Sequence, residues 1–436
     1  MQSSVRRAAA FALVGTLALA APVVGPIAAV PFALIAVVGR LVSSGPAFDL
    51  FARPQDRVEG QLRGLVGFAL AATGLSLLAS LAGLPSGVFV AAVLLVAYGN
   101  LAQTVLCERR DTPFRRALGF GGGGALAAVA GQLLGPALAG APADPAMAAF
   151  LATSGALVGA LLRAGLVGRD DPAVMVTVAL VLWVLASLGL GVDLTGVVLA
   201  IAVAGVMGYV AWLLGTASVT GMLTGILTGL ITIVLGGVGW FVALIAFFGV
   251  GGMASKYRYD EKRELGVAEP NEGARGTRNV LANAAVAVLA TVGFAASAQV
   301  GIDPAVFVLA FCGSLATAMS DTLSSELGVL YGEPTLITTG EQVEIGTDGG
   351  ITLEGIAAGA AGAGVIAGIA IALLGVPPLG VLLVVVAGVV GMLVDSLLGA
   401  TVEGRGIGNQ SVNFLATLSG ALVAAGGGVV LGLALL

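Results

Sequence analysis

The chain has 436 residues, of which 58% are apolar and only 10% are charged, and its net charge is −5. A soluble domain carries about 25% charged residues, so this composition excludes a soluble globular protein. The chain has no histidine and two distant cysteines, Cys107 and Cys312, which excludes histidine-based catalysis, His or Cys zinc sites and a disulfide framework. Any catalysis must use carboxylate, amide, hydroxyl, Arg or Lys groups, together with a hard metal ion bound by oxygen.

Long apolar runs predict the fold class, an all-α, polytopic transmembrane helical bundle of about 15 spans. The runs are continuous, whereas the strands of a transmembrane barrel alternate apolar and polar residues. Arg6 and Arg7 before the first run also fit a signal peptide, but the many later spans favour a first membrane helix. The predicted spans are 8–21, 23–40, 64–84, 87–106, 118–139, 145–165, 173–190, 194–214, 220–236, 238–254, 280–299, 303–320, 353–374, 378–398 and 413–434.

The distribution of basic residues predicts the orientation of the bundle. If the N-terminus is cytoplasmic and the spans alternate, all 19 Lys and Arg residues lie on the inner side. That agreement depends partly on two chosen divisions, one between Pro22 and Pro26 and one at Gly236-Gly237. We therefore expect an integral plasma-membrane protein with a cytoplasmic polar face. The acidic, Lys-poor composition is typical of a halophilic, archaeal-like microbe.

The chain divides into two predicted regions. Residues 1–170 have short loops and form an N-terminal transmembrane region of unknown role. Residues 171–436 carry three longer polar segments, 255–279, 321–352 and 399–412, and all three face the cytoplasm in the predicted topology.

The first polar segment combines arginine with glycine, asparagine and glutamate. Glycines beside Arg275 and Arg278 let the backbone approach a ligand, and arginine binds phosphate oxygens through paired N–H groups. Asn279 and Asn283 lie one turn apart at the start of the next helix, whose N-terminus favours an anion. For the earlier arginines of the segment, an ordinary basic flank is favoured instead. The candidate phosphate-binding residues here are Asn271, Glu272, Arg275, Arg278, Asn279 and Asn283.

The second segment begins inside the end of a predicted membrane helix. There Asp321 and Ser325 share one face, and Thr322 and Glu326 share another. Ionisable groups at membrane depth are costly, so Asp321 and Glu326 are candidate catalytic residues, and Ser325 is a candidate binding residue.

The same segment ends in a glycine-rich turn just before a helix predicted to begin near Thr352. Such a turn can hold phosphate through its backbone N–H groups, and an ordinary helix-capping turn fits the spacing equally well. It is not a Walker motif, because the chain lacks the GxxxxGK[ST] pattern. The candidate nucleotide-binding residues of the turn are Gly346, Thr347, Asp348, Gly349 and Gly350.

The third segment places Asp395 within an apolar stretch, where a carboxylate needs a cation or a polar partner. A magnesium ion, Arg275 or Arg278 would serve, and solvation at the interface is the alternative. Asn409 and Asn413 follow one turn apart and are further candidate binding residues. Together the three segments supply the carboxylates, arginines and glycine turns that phosphoryl transfer requires.

Several ordered motifs in residues 172–436 strongly resemble a membrane family long labelled domain of unknown function number ninety-two, which includes a plant chloroplast phytyl-phosphate kinase. The motifs are EPNEGARGTRNVLANA (269–284), SDTLSSELGVL (320–330), EPTLITT (333–339), GTDGGIT (346–352), DSLLGATVE (395–403) and the stretch 409–413. A looser similarity, in the pattern of Asp321, Ser325, Gly328 and the glycine turn, is to dolichol kinases and phosphatidate cytidylyltransferases.

The resemblance implies that residues 171–436 form a catalytic domain that phosphorylates an isoprenyl monophosphate, such as phytyl or geranylgeranyl phosphate, with CTP or another nucleoside triphosphate. It implies roles for Asp321 and Asp395 as magnesium ligands, for Lys256, Arg275 and Arg278 as phosphate-binding residues, and for 346–350 as the nucleotide turn. One departure is that Gly346 stands before Thr347, where those more distant relatives have Lys.

The expected function is therefore a magnesium-dependent isoprenyl-phosphate kinase whose partners are CTP, an isoprenyl phosphate and membrane lipid, with no nucleic acid and with a homo-oligomer left open. A lipid-phosphate cytidylyltransferase would need the same site. A transporter or flippase fits the many spans, but the polar motifs cluster at one interface and no inverted repeat is evident. A structural scaffold would leave the motifs unexplained.

Overall fold

The computed structural model describes residues 2–165, 170–268, 276–403 and 406–435. In these ranges, 13 helices are long and apolar enough to cross a membrane. The predicted all-α, polytopic fold class is confirmed. The predicted spans 8–21 and 23–40 lie in one apolar stretch, Ser4–Leu41, and span 173–190 corresponds to the shorter helix Asp171–Ser187. The full number of spans and the side of the N-terminus stay predictions.

The described residues form two compact units, Met1–Ala202 and Val203–Leu436. The helices whose residues begin in the first unit are α1 (Gln2–Thr16), α2 (Ala21–Val24), α3 (Ala29–Leu41), α4 (Pro46–Phe51), α5 (Pro54–Glu59), α6 (Arg63–Leu81), α7 (Ser86–Leu106), α8 (Pro113–Leu138), α9 (Pro145–Gly165), α10 (Asp171–Ser187) and α11 (Leu194–Leu213). Short 3-10 turns at Leu17–Ala20 and Gly25–Ala28 interrupt the first stretch, where the predicted division between Pro22 and Pro26 falls.

A buried carboxylate joins α10 to the first unit. Asp171 accepts hydrogen bonds from Arg163 Nη1 at 2.6 Å and Asn100 Nδ2 at 3.0 Å, and it forms an ion pair with Arg53. Because α10 also packs against α6, α7 and α9, it belongs to the compact unit that ends at Ala202. The functional division at residue 170 stays a prediction.

The second unit is built from nine further helices and one two-stranded sheet within its described residues. They are α12 (Val219–Ile231), α13 (Val238–Lys256), α14 (Tyr259–Glu264), α15 (Thr277–Ala295), α16 (Ser297–Val300), α17 (Pro304–Tyr331), β1 (Thr335–Leu336), β2 (Gly350–Ile351), α18 (Leu353–Leu373), α19 (Pro378–Thr401) and α20 (Asn409–Val430). A π-helical turn, Thr232–Gly236, and the left-handed residue Gly237 (φ 96°) separate α12 from α13, at the predicted division.

The long helix α17 is the centre of the second unit. It packs against α13, α15, α18, α19 and α20, and most of its middle is buried. Asp303 caps its start by accepting a hydrogen bond from the Ala305 N–H at 2.8 Å, and Pro304 occupies the first helical position. These neighbours hold the last three turns of α17, which carry the second polar segment.

Contacts at both ends of α17 show that the helices alternate in direction. At the first end, Asp303 Oδ2 accepts a hydrogen bond from the Leu435 N–H, just beyond α20. At the other end, a Cβ placed on Gly332 would lie 2.7 Å from Thr352 Cβ, and the Tyr331 and Tyr257 hydroxyls are 3.0 Å apart. The C-termini of α13, α17 and α19 and the N-termini of α15, α18 and α20 therefore share one end, which we call the polar end.

Candidate functional site

Two carboxyl groups meet at the polar end of the second unit. Asp321 on α17 and Asp395 on α19 lie within side-chain hydrogen-bonding range of each other. Asp395 Oδ1 is buried and has no hydrogen-bond partner among the described residues. Two adjacent carboxylates repel each other unless a proton or a cation lies between them. The structure thus brings together the two residues that the sequence predicts as metal ligands.

The helices α17 and α19 pack closely one turn before Asp321 and Asp395, and this packing sets the distance between the two carboxyl groups. Thr317 precedes Asp321 by one turn on α17, and Gly391 precedes Asp395 by one turn on α19. A Cβ on Gly391 would overlap Thr317 Oγ1 and lie 2.8 Å from Thr317 Cβ. On the other side of Thr317, a Cβ on Gly420 of α20 would also overlap Oγ1, which donates a hydrogen bond to the Ala387 carbonyl at 3.2 Å. The two glycines thus set how closely α19 and α20 approach α17 at this level.

The substitution Gly391→Ala tests whether this packing positions the carboxyl pair. The added methyl would push α19 away from α17, and a displacement of about 1 Å costs roughly 100-fold in rate. We expect turnover in the assay described below to fall by about that factor. The double variant Gly391→Ala/Thr317→Ala should recover part of it, because it removes the overlapping Thr317 atoms.

Gly364→Ala on α18 is the matched control for this test, because a Cβ there meets nothing within 4 Å. It should leave turnover unchanged. If Gly391→Ala behaved like Gly364→Ala, the Thr317 packing would not be what positions the carboxyl pair.

The glycine turn lies against α19 beside the carboxyl pair. It belongs to a small hairpin in which β1 and β2 pair antiparallel. A Cβ on Gly349, whose φ is 81°, would lie 2.6 Å from the Ser396 carbonyl oxygen and 2.8 Å from the backbone nitrogen of Ala400, in the third polar segment. A Cβ on Gly346 would lie 2.6 Å from Val267 Cγ1, in the first polar segment. One turn therefore contacts parts of the first and third segments.

The turn is separate from the helix that follows it. The Thr352 side chain caps α18 by accepting a hydrogen bond from the Gly355 N–H at 2.9 Å, so the predicted helix start is confirmed. Gly350 begins β2, and Thr347 Oγ1 donates to the Glu344 carbonyl at 2.7 Å. Because Thr352 caps the helix, the turn is not needed for capping, and its role in binding phosphate stays a prediction.

Two further acidic residues surround the pair. Asp348 of the turn is exposed, and Glu403 lies just beyond α19. Partial burial and then the charge of Asp348 raise the pKa of the Glu403 carboxyl. Among the described residues, no group of three or more Asp, Glu, Cys or His side chains is arranged as a metal site. The site is a pair of carboxylates in an acidic setting.

Two helix N-termini carry predicted binding residues at the same end. Arg278, which is exposed, and Asn279 lie in the first turn of α15, and Asn283 Nδ2 donates to the Asn279 carbonyl at 3.0 Å. Asn279 Oδ1 is buried without a hydrogen-bond partner among the described residues. Asn409 and Asn413 begin α20. The partial positive charge of both N-termini favours an anion there.

Glu326 is placed differently from the other acidic candidates. Its carboxylate accepts a hydrogen bond from Lys262 Nζ at 2.6 Å, and Lys262 also donates to the Ala254 carbonyl at 2.8 Å. The Lys262 side chain is 1% exposed and that of Glu326 is 10% exposed. This buried pair ties α14 to α17, and a catalytic role for Glu326 stays a prediction.

The remaining candidates are scattered. Ser325 is exposed, and its hydroxyl donates to the Thr322 carbonyl at 3.2 Å. Lys256 is exposed at the end of α13. Asn271, Glu272 and Arg275 lie outside the described residues.

Sequence reasoning did not select Glu403, Lys262 or Thr317 as site residues. Glu403 follows a predicted helix end closely and could have been chosen as an acidic residue near Asp395. Lys262 resembles any basic flanking residue, and Thr317 lies in an apolar run, so their roles become visible only through tertiary contacts.

Gly349→Ala tests whether the turn must lie against α19. An alanine with φ near 81° is strained by about 1–2 kcal/mol and would also overlap α19. Gly340→Ala in the same hairpin (φ 73°) carries similar strain, but its Cβ meets nothing within 4 Å. We expect both variants to lower the apparent melting temperature, and Gly349→Ala to lower it further, because its Cβ would meet α19 while that of Gly340 meets nothing within 4 Å. Equal melting temperatures for the two variants would contradict the close contact of the turn with α19.

Fold and site together define a polytopic helical membrane protein with a carboxylate site at one end of its second unit. The model of the family described as integral membrane protein DUF92 matches residues 200–421, and the chain belongs to this family.

Relatives of the chain come from archaea, cyanobacteria and plants. An uncharacterized membrane protein of Methanocaldococcus jannaschii, MJ0933, is 39% identical over 189 residues, which cover 43% of this chain and 75% of that protein. The uncharacterized membrane protein sll0875 of Synechocystis is 34% identical over 206 residues, 44% of this chain and 76% of that protein. Protein VTE6, chloroplastic, of Arabidopsis thaliana is 33% identical over 191 residues, 42% of this chain and 57% of that protein. No solved structure matches the chain.

Proposed function

We propose that the protein is a membrane-embedded, magnesium-dependent kinase that phosphorylates an isoprenyl monophosphate to the diphosphate, with CTP as the favoured donor. The observation that carries the proposal is the pair of Asp321 and Asp395 beside the glycine turn at the polar end. The family resemblance adds support, because the family includes a plant phytyl-phosphate kinase. A chloroplast protein of Arabidopsis thaliana is 33% identical to the chain over 191 residues.

The donor set of the pair fits a magnesium ion. Magnesium in phosphoryl-transfer sites is bound by one or two carboxylates plus substrate phosphates, and it keeps several waters. Asp395 Oδ1, buried and unpartnered among the described residues, and the adjacent Asp321 carboxylate provide this set. Magnesium bound there would neutralise charge on the donor phosphates.

The proposed reaction needs positioning more than covalent chemistry. An oxygen of the lipid monophosphate attacks the γ-phosphorus of CTP, the bond from that phosphorus to the bridging oxygen breaks, and CDP leaves with the electron pair. Lys256 and Arg278 at the polar end would neutralise phosphate charge, and the N-termini of α15 and α20 would add partial positive charge. The glycine turn would orient the donor through its backbone N–H groups.

We further propose that the polar end faces the cytoplasm of a plasma membrane. The described Lys and Arg residues of the second unit all lie at this end, as the positive-inside rule requires of a cytoplasmic face; they are Lys256, Arg258, Lys262, Arg263 and Arg278. A nucleotide would then reach the site from the cytosol, and the lipid would reach it from the membrane.

A kinase assay with the full-length protein in nanodiscs tests the proposal. With [γ-32P]CTP, magnesium and geranylgeranyl phosphate, the label should appear in geranylgeranyl diphosphate, with CDP released. Asp321→Asn and Asp395→Asn should each lower the rate at least about 100-fold, because each removes charge that positions the donor. Asp303→Asn is the control, since it lies at the other end of α17 and asparagine caps a helix equally well.

Three results would contradict the proposal. Release of pyrophosphate with a CDP-lipid would indicate a cytidylyltransferase. Movement of the lipid phosphate across sealed vesicles without nucleotide would indicate a transporter. No turnover with any nucleoside triphosphate across a panel of isoprenyl phosphates would exclude the kinase.

A further inference from the structure

An apolar groove of about 570 Å³ runs along α13 in the second unit. The α13 residues that line the groove recur every three or four positions, from Phe241 through Phe248 and Gly252 to Lys256. They therefore lie on one face of the helix. At 1.5 Å per residue, this wall is roughly 22 Å long. The second half of α11, together with α12, forms the opposite wall.

The two ends of the groove differ in chemistry. At the end far from the polar end, a Cβ on Gly229 would lie 3.0 Å from Phe241 Cε2 and 3.2 Å from Ala204 Cβ. Three helices therefore close that end of the groove with apolar atoms. At the polar end, the mouth is formed by Lys256, Tyr257 and Val280, and Lys256 is the charged residue among its described lining residues. A ligand that matches both ends has an apolar tail and an anionic head.

We propose that this groove binds the chain of a prenyl phosphate, with its phosphate at Lys256. The volume of about 570 Å³ lies in the usual range for one small ligand, roughly 300–1,000 Å³, and the length of roughly 22 Å suits a single extended chain of about four isoprene units. The identity of the head as a substrate phosphate rests on the proposed function. Binding of the tail rests on the groove alone.

The helix α15 contributes to the mouth of the groove and also packs against α17, the helix that carries Asp321. This helix packs against α12 on one side and α17 on another. Its first turn supplies Val280 to the mouth and carries Arg278 and Asn279, and Thr277 Oγ1 accepts a hydrogen bond from Thr224 Oγ1 of α12 at 3.0 Å. A phosphate at Lys256 would therefore lie beside the N-terminus of α15, which favours anions. The helix α15 in turn packs against α17, which carries Asp321.

Glycines in the groove allow it to be shortened without disturbing the fold. A Cβ on Gly249 or Gly252 of α13 meets nothing within 4 Å, so a larger side chain there would project into the groove. Gly249 lies seven residues from Lys256, roughly 10 Å along the helix. Gly368 of α18 is equally open but does not line the groove, and Gly368→Leu is the matched control.

The experiment measures binding to the full-length protein in nanodiscs without nucleotide, using geranyl, farnesyl and geranylgeranyl phosphate. Gly249→Leu should raise the Kd for farnesyl and geranylgeranyl phosphate at least about tenfold and change that for geranyl phosphate by less than about threefold. Gly252→Leu, one turn nearer the mouth, should also weaken geranyl phosphate. Lys256→Gln should reduce the preference for geranylgeranyl phosphate over geranylgeraniol, and Gly368→Leu should match the wild type.

The groove assignment is overturned if Gly249→Leu and Gly252→Leu show the same chain-length profile as Gly368→Leu. That result is expected if only bulk lipid fills the groove. It is also overturned if Lys256→Gln keeps the full preference for the phosphate. Binding is measured without nucleotide, so it is independent of the kinase assay. If the binding profile is as expected but the kinase assay shows no turnover, the kinase proposal is refuted and the groove assignment stands. If turnover is seen but Gly249→Leu leaves the chain-length profile of binding unaltered, the groove assignment is refuted and the kinase proposal stands.

Discussion

The arrangement of the site depends on one packing contact, in which Thr317 of α17 lies between Gly391 of α19 and Gly420 of α20. Without side chains on the two glycines, three helices approach to contact distance, which gains dispersion energy that lipid alone does not supply. Asp321 and Asp395 are each one turn further along their helices, so the contact holds together two carboxyl groups that repel each other when both are ionised and no cation lies between them. Packing at one level of the bundle thus offsets electrostatic strain at the next.

That strain lies at an end of the unit suited to binding anions and cations together. The N-termini of α15, α18 and α20 bring partial positive charge to the polar end, while Asp348 and Glu403 add negative charge beside the carboxyl pair. Lys262 is already neutralised by Glu326. The exposed cations Lys256 and Arg278 are thus the described side chains better placed to meet phosphate.

Local sequence rules select a candidate site residue where a polar side chain interrupts an apolar run. Asp321 and Asp395 stand out for that reason, and the break at Gly236-Gly237 and the helix start at Thr352 follow from local rules. Pairing between distant residues, as in Lys262 with Glu326, depends on tertiary packing and has no local signal. The groove along α13 was equally hidden, because in a membrane helix the sides that face lipid and a cavity are both apolar.

If Asp321 and Asp395 act together as one binding site for a metal–nucleotide complex, as we propose, both carboxylates are needed to hold the metal. Electron paramagnetic resonance with Mn2+ as a substitute for magnesium, titrated in the presence of CTP, measures this directly. We predict about one bound Mn2+ per chain, lost in both Asp321→Asn and Asp395→Asn and retained in Asp303→Asn. Undiminished Mn2+ binding in either of the first two variants would contradict a shared site.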